Sequence, residues 1–234
     1  MNNLVKIATD FLKNINKNRK QIEKYSVNTN WLLTPLKHLV FPEDMTLGMY
    51  TAGGGLGSHT EIYFHNNDAT EPYQMGTVYT PNKIILYNGD LSTCFDASYE
   101  EPLPALNYIR IDEFLPESIW EAYLLTRVSS FLPLFWHGGY MLFKYIFSKE
   151  DLIKVHNFTD DELKNLEKYQ FEPIVEHRGF YKDKYDWGIS FYEWSEWGGL
   201  FKTFVHVRCE RGGSVHFYEE KQKNIFKYNC GICF

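Results

Sequence analysis

An α+β fold ending in an antiparallel sheet is predicted by three features of the sequence. Apolar residues recur at three- and four-residue steps near the start, turn-separated β-favouring runs fill residues 45–87, and from Glu172 onward the chain is almost continuously β in texture. Over Leu4 to Ile22 the apolar positions Leu4, Ile7, Ala8, Phe11, Leu12, Ile15 and Ile22 share one face and the bases lie on the other, which predicts an N-terminal amphipathic helix packed by its greasy side. Residues 26–44, with Pro35 and Pro42, read as a connecting loop with one short turn of helix near Leu36 to Val40. Met45 to Tyr87 reads as an antiparallel meander, and Leu106 to Ile111 as a further short strand. Pro116 suits the first position of a central helix that runs to about Ser130. A second helical or mixed segment is expected over Tyr140 to Ile146, and Thr159 followed by Glu162 is a capping-box pair that predicts a short helix over Asp160 to Tyr169. The β-rich end divides into four or five strands, with Glu210-Arg211-Gly212-Gly213 as a hairpin turn.

The 234 residues are read as one domain spanning 1–234, with 148–158 the place where a sub-boundary would fall. Hydrophobic residues make up 44% and aromatic residues 18%, a content that excludes a disordered chain and leaves rings to spare for a pocket or a partner-binding face. The net charge is −6, but residues 1–24 carry +4, so the body is −10. An acidic body is a poor match for phosphate backbones and suits a basic protein or a cationic ligand, so nucleic acid is not an expected partner. Asp10 and repeated Lys and Asn break any signal-peptide core in the first twenty residues, and Phe131 to Phe147 is broken by Pro133, His137, Gly138, Gly139 and Lys144. A cytoplasmic protein that does not enter the membrane is therefore expected, with its four cysteines as thiols. No cofactor is called for, and the sequence sets no oligomeric state.

Four groups of residues could carry chemistry. Gly53 to Ser58 is rich in glycine, yet it lacks the Lys of a phosphate-binding loop and leads into a strand, so a loop between strands is expected. His59 and Glu61 share a strand face with Tyr63 and His65, and His137 sits beside Gly138 and Gly139; together these form the candidate acid-base set of an enzyme, against the plainer reading of a solvated sheet face. His206 and Cys209 with Cys230 and Cys233 offer four zinc ligands or a redox pair, although odd spacing on a strand turns His206 and Cys209 to opposite faces. Trp187, Tyr192, Glu193, Trp194, Glu196 and Trp197 combine large rings with carboxylates, the composition of an interface for a cationic partner, against the plainer reading of core packing.

In overall layout, a helix-plus-sheet body with acidic loops and no hydrolase, metalloprotease or deaminase signature, the chain resembles the immunity proteins that bacteria make against delivered toxins. That resemblance implies a protein-binding module, not an enzyme, which blocks a basic toxin domain by covering its active face, with Glu193 and Glu196 standing in for substrate charge. A small-molecule enzyme built on a His/Glu pair ranks second, and a zinc-stabilised or redox domain third.

Overall fold

A computed structural model of the chain describes residues 2–18, 28–41, 45–52, 59–66, 84–86, 110–111, 113–128, 143–211, 213 and 215–228. In chain order these form α1 (Asn3–Asn18), a 3₁₀ turn (Asn30–Leu33), β1 (Leu39–Val40), β2 (Met45–Ala52), β3 (His59–Asn66), β4 (Ile84–Leu86) and β5 (Arg110–Ile111). They continue as α2 (Pro116–Thr126), β6 (Phe143–Ile146), α3 (Lys149–Val155), α4 (Asp160–Leu166), β7 (Ile174–Tyr181), β8 (Lys184–Ser195), β9 (Gly199–Glu210) and β10 (Val215–Lys227). The class is α+β, with the expected N-terminal helix, the β2-β3-β4 meander and a five-stranded antiparallel C-terminal sheet in the order β10-β9-β8-β6, β7 also pairing with β8. The twelve-residue β8 holds both β6 and β7 on its edge away from β9: residues 192–195 pair with β6 and residues 184–190 with β7.

Several boundaries differ from the sequence reading. Residues 143–146 are a strand, because β6 completes the edge of β8 opposite Tyr192 to Ser195. The helical turn after the first loop lies at Asn30–Leu33, anchored where Thr29 N and Oγ1 donate to Leu47 O and Leu47 N donates to Asn30 Oδ1. Residues 149–155 form α3, capped by Ser148, and its Leu152 is buried in the core. Val215 to Lys227, which the sequence divides into two runs, is one strand, β10, which keeps its pairing with β9 through irregularities at Phe217/Glu219 and Asn224/Phe226. The capping box at Thr159 and Glu162 forms as its sequence requires.

The sheet lies between two helical layers. One face carries Trp187, Ile189, Phe191, Val205, Val207 and Cys209 and packs against α1 and α2. Every residue of α2 from Ser118 to Thr126 is buried, and the Trp120 and Tyr123 rings lie 5.6 and 5.4 Å from Phe191. The opposite face carries Tyr192, Trp194 and Leu200 under Leu152 of α3 and Leu166 of α4. Each of these two helices has seven residues, about 10 Å of rise, against roughly 40 Å for β8, so they cover only the Trp194 end of that face.

The β7–β8 turn is Lys182-Asp183, both at positive φ (47° and 61°), the backbone of a two-residue hairpin that asparagine and glycine adopt more easily. The paired substitution Lys182→Asn, Asp183→Gly is expected to stabilise the chain by roughly 1 kcal/mol. The check is a higher urea midpoint at unchanged slope, since the Asp183–Arg211 pair it removes is an exposed one at 3.7 Å.

Candidate functional site

The acidic-aromatic segment is placed first by strand parity. Trp187 faces α1 and α2; Tyr192 and Trp194 face α3 and α4; Glu193 lies beneath α2. All four are buried, Glu193 and Trp194 at 0% exposure, so a partner cannot reach them in this fold, and the expected interface reduces to Glu196 and Trp197 in the β8–β9 turn. Glu196 is itself paired with Lys144 at 2.8 Å. The notion of Glu193 and Glu196 as substrate-like charges is revised accordingly: one carboxylate is interior and the other already has a cation.

Glu193 is the centre of a buried polar network. Its Oε2 accepts from Arg127 Nη2 at 3.2 Å, and its Oε1 accepts from Gln222 Nε2 at 2.8 Å and from the Thr203 hydroxyl. Arg127 Nη1 also reaches Glu220 Oε1 at 3.1 Å, and Tyr123 donates to the same carboxylate. Burial raises the Glu193 carboxyl above its ordinary range and Arg127 pulls it back, while burial pushes the Tyr123 and Tyr145 phenols well up and holds them protonated.

The remaining sequence candidates separate in the fold. His206 projects from the sheet face away from α1 and α2, its Nε2 3.6 Å from Asp186, whereas Cys209 is buried in the other face with its thiol pushed up to about 12 by burial. One metal therefore cannot take both, and no group of three His, Cys, Asp or Glu side chains is arranged for a metal ion among the described residues. Cys230, Cys233, His137 and the Gly53 to Ser58 loop lie outside the described residues. His59 and Glu61 stand two positions apart on β3, opposite Ala52 and Tyr50 of β2, and so fall on one face of that strand as expected.

Two features remain as candidates. The first is the half of the outer sheet face that α3 and α4 leave uncovered. Gly188 forms its floor: a Cβ there would stand 2.3 Å from Arg178 Nε, so the missing side chain lets Arg178 lie across the strand with its guanidinium carbon 4.2 Å from the Phe204 ring centroid. Glu176 Oε1 accepts from Arg178 Nη2 at 2.7 Å, and Asp186 Oδ1 accepts from Arg208 Nε at 2.8 Å, which holds the Asp186 carboxyl below the usual carboxylate range. Arg208 in turn lies 5.0 Å over the Tyr218 ring. At the rim Ile174, Tyr181 and Tyr218 are 45, 66 and 55% exposed.

The second is a cleft of about 310 Å³ between α1, the loop at Thr34 to His38, and α2. Its back wall is Glu121, a fully buried carboxylate that accepts from the His38 backbone N–H at 2.7 Å and meets His38 Nδ1 at 2.8 Å. These partners are 83 residues apart, and the only local sign of them was a lone acid inside the apolar run of α2.

Comparison with protein-family models, with characterised proteins and with solved structures gives no match to this chain. Among the described residues no helix is long and apolar enough to cross a membrane.

Proposed function

We propose that the chain is a protein-binding module that docks a folded partner on the uncovered half of its C-terminal sheet. The observation that carries this reading is the arrangement around Gly188: two arginines held flat on aromatic rings by carboxylates, with exposed Ile174, Tyr181 and Tyr218 at the rim. Arginine and tyrosine supply much of the energy of protein interfaces, and side chains already fixed by their neighbours lose little entropy on docking. The pairs Glu176–Arg178 and Asp186–Arg208 present both signs of charge, so a partner would be selected by ring contacts and bidentate groups more than by net charge. In its narrower form the module is an immunity protein that silences a toxin by lying over its active face.

The test is titration against the product of the gene adjacent to its own. A complex is expected, and Tyr181→Ala with Tyr218→Ala should weaken it at least tenfold while the thermal melt stays in place, because both rings are mostly exposed. Loss of the neighbour's activity in the equimolar complex would support the immunity form. No complex, or one that the double variant forms as tightly, would overturn the proposal.

A further inference from the structure

The cleft between α1 and α2 is independent of the sheet face and has a chemistry of its own. Both oxygens of Glu121 are occupied by one residue, the backbone N–H and the ring Nδ1 of His38, so this carboxylate fixes the position and the rotation of the imidazole together. A carboxylate accepts hydrogen bonds, so the Nδ1 of His38 donates in this contact, and in the neutral form of an imidazole so held Nε2 is the acceptor. The His38 side chain is 37% exposed and lines the cleft, and with Nδ1 held by the back wall its Nε2 is the nitrogen left to a ligand. Of the other charges lining the cleft, Lys6 and Asp10 neutralise each other at 3.0 Å, while Lys37 has no ion pair among the described residues. Asn14 also lines it, with its amide N–H committed to Trp31 O at 2.6 Å. The volume is at the small end of ligand pockets, which run from about 300 to 1,000 Å³.

We infer that this cleft is a binding site for a small hydroxylated organic anion, whose hydroxyl donates to His38 Nε2 and whose acid group pairs with Lys37. The ligand class follows from the two functions left unfilled: an imidazole acceptor needs a donor, and an ammonium needs an anion.

The probes are malate, which has both groups, and succinate, which has the same two carboxylates and no hydroxyl. The full chain with ¹³C-labelled histidine is titrated with each, and the His38 ring signal is assigned by its loss in His38→Gln. Malate is expected to shift that signal to saturation in the low-millimolar range, with succinate at least tenfold weaker. Lys37 is exposed and remote from the core, so Lys37→Ala should keep the fold and weaken malate about tenfold. A His38 signal that malate leaves unmoved, equal binding of succinate, or full malate affinity in Lys37→Ala would each overturn the inference.

Discussion

Replacing Arg127 by methionine is expected to destabilise the protein by about 3–5 kcal/mol, the cost of removing one partner of a buried ion pair. The Arg127 side chain is 8% exposed and the Glu193 side chain 0%, so in the variant the carboxylate has no water to turn to. Thr203 and Gln222 would still donate to it, but neither carries charge. The penalty should depend on pH with a defined sign. Burial already holds the folded Glu193 carboxyl above its ordinary range against the pull of Arg127, so its contribution is greatest below the unfolded value of about 4.3 and is lost as pH rises through the folded value. Without Arg127 that folded value rises further and the loss grows. The difference between wild type and Arg127→Met, measured by urea denaturation, should therefore be larger at pH 8 than at pH 5. Adding Glu193→Gln should recover much of the loss, because the uncompensated charge goes with it. A difference that is flat with pH would mean that Arg127 acts through packing on Tyr123 and Phe143, over whose rings it lies at 6.0 and 5.7 Å.

The network explains where sequence reasoning reached and where it stopped. The greasy stripe of α1, the box at Thr159 and Glu162, and the turn in which Gly213 takes a positive φ and donates to Glu210 O are local features, and each was legible because its partners lie within a few residues. Glu193 finds Arg127 from 66 residues away and Glu121 finds His38 from 83, and nothing in the chain near either acid names its partner. Within the mixed segment expected over Tyr140 to Ile146, residues 143–146 are a strand for the same reason: their pairing with β8 is supplied from some fifty residues downstream. Propensity alone does not choose between helix and strand in so short an apolar run.

The interface assigned to Trp187 through Trp197 went astray for a different reason. Alternation on a strand is informative when one face of the sheet meets water and the other meets the core. Over residues 191–194 neither is: Phe191 and Glu193 lie under α2, and Tyr192 and Trp194 under α3 and α4. The half of the outer face that α3 and α4 leave uncovered begins where these short helices end, toward Gly188 and Asp186, and there the rings under the arginines come from neighbouring strands, Phe204 from β9 and Tyr218 from β10. Covering both faces of a strand over only part of its length is a matter of helix length and placement, which no period in the strand's own sequence records.

Trp194→Ala consequently carries the other large expected effect, and it falls on folding. The ring is fully buried, stacked 5.2 Å from His156, tilted 5.5 Å from Tyr228 and edge-on 5.7 Å from Phe158, so truncation opens a cavity walled by the connection after α3 and the end of β10. Large-to-small changes of this kind cost about 3–5 kcal/mol, more where the surroundings cannot collapse. Backbone pairing on both edges of β8, to β6 and to β9, holds the cavity walls apart and argues for the upper part of that range. Glu196→Lys, two residues on, provides the contrast: it breaks a partly exposed pair with Lys144 and should change stability by less than about 1 kcal/mol. Urea melts of both variants decide the matter. If Trp194→Ala melted with the wild type, the ring would not be packed between sheet and helices, and the layer built on α3 and α4 would have to be redrawn; a large loss of stability locates the tryptophan in the core.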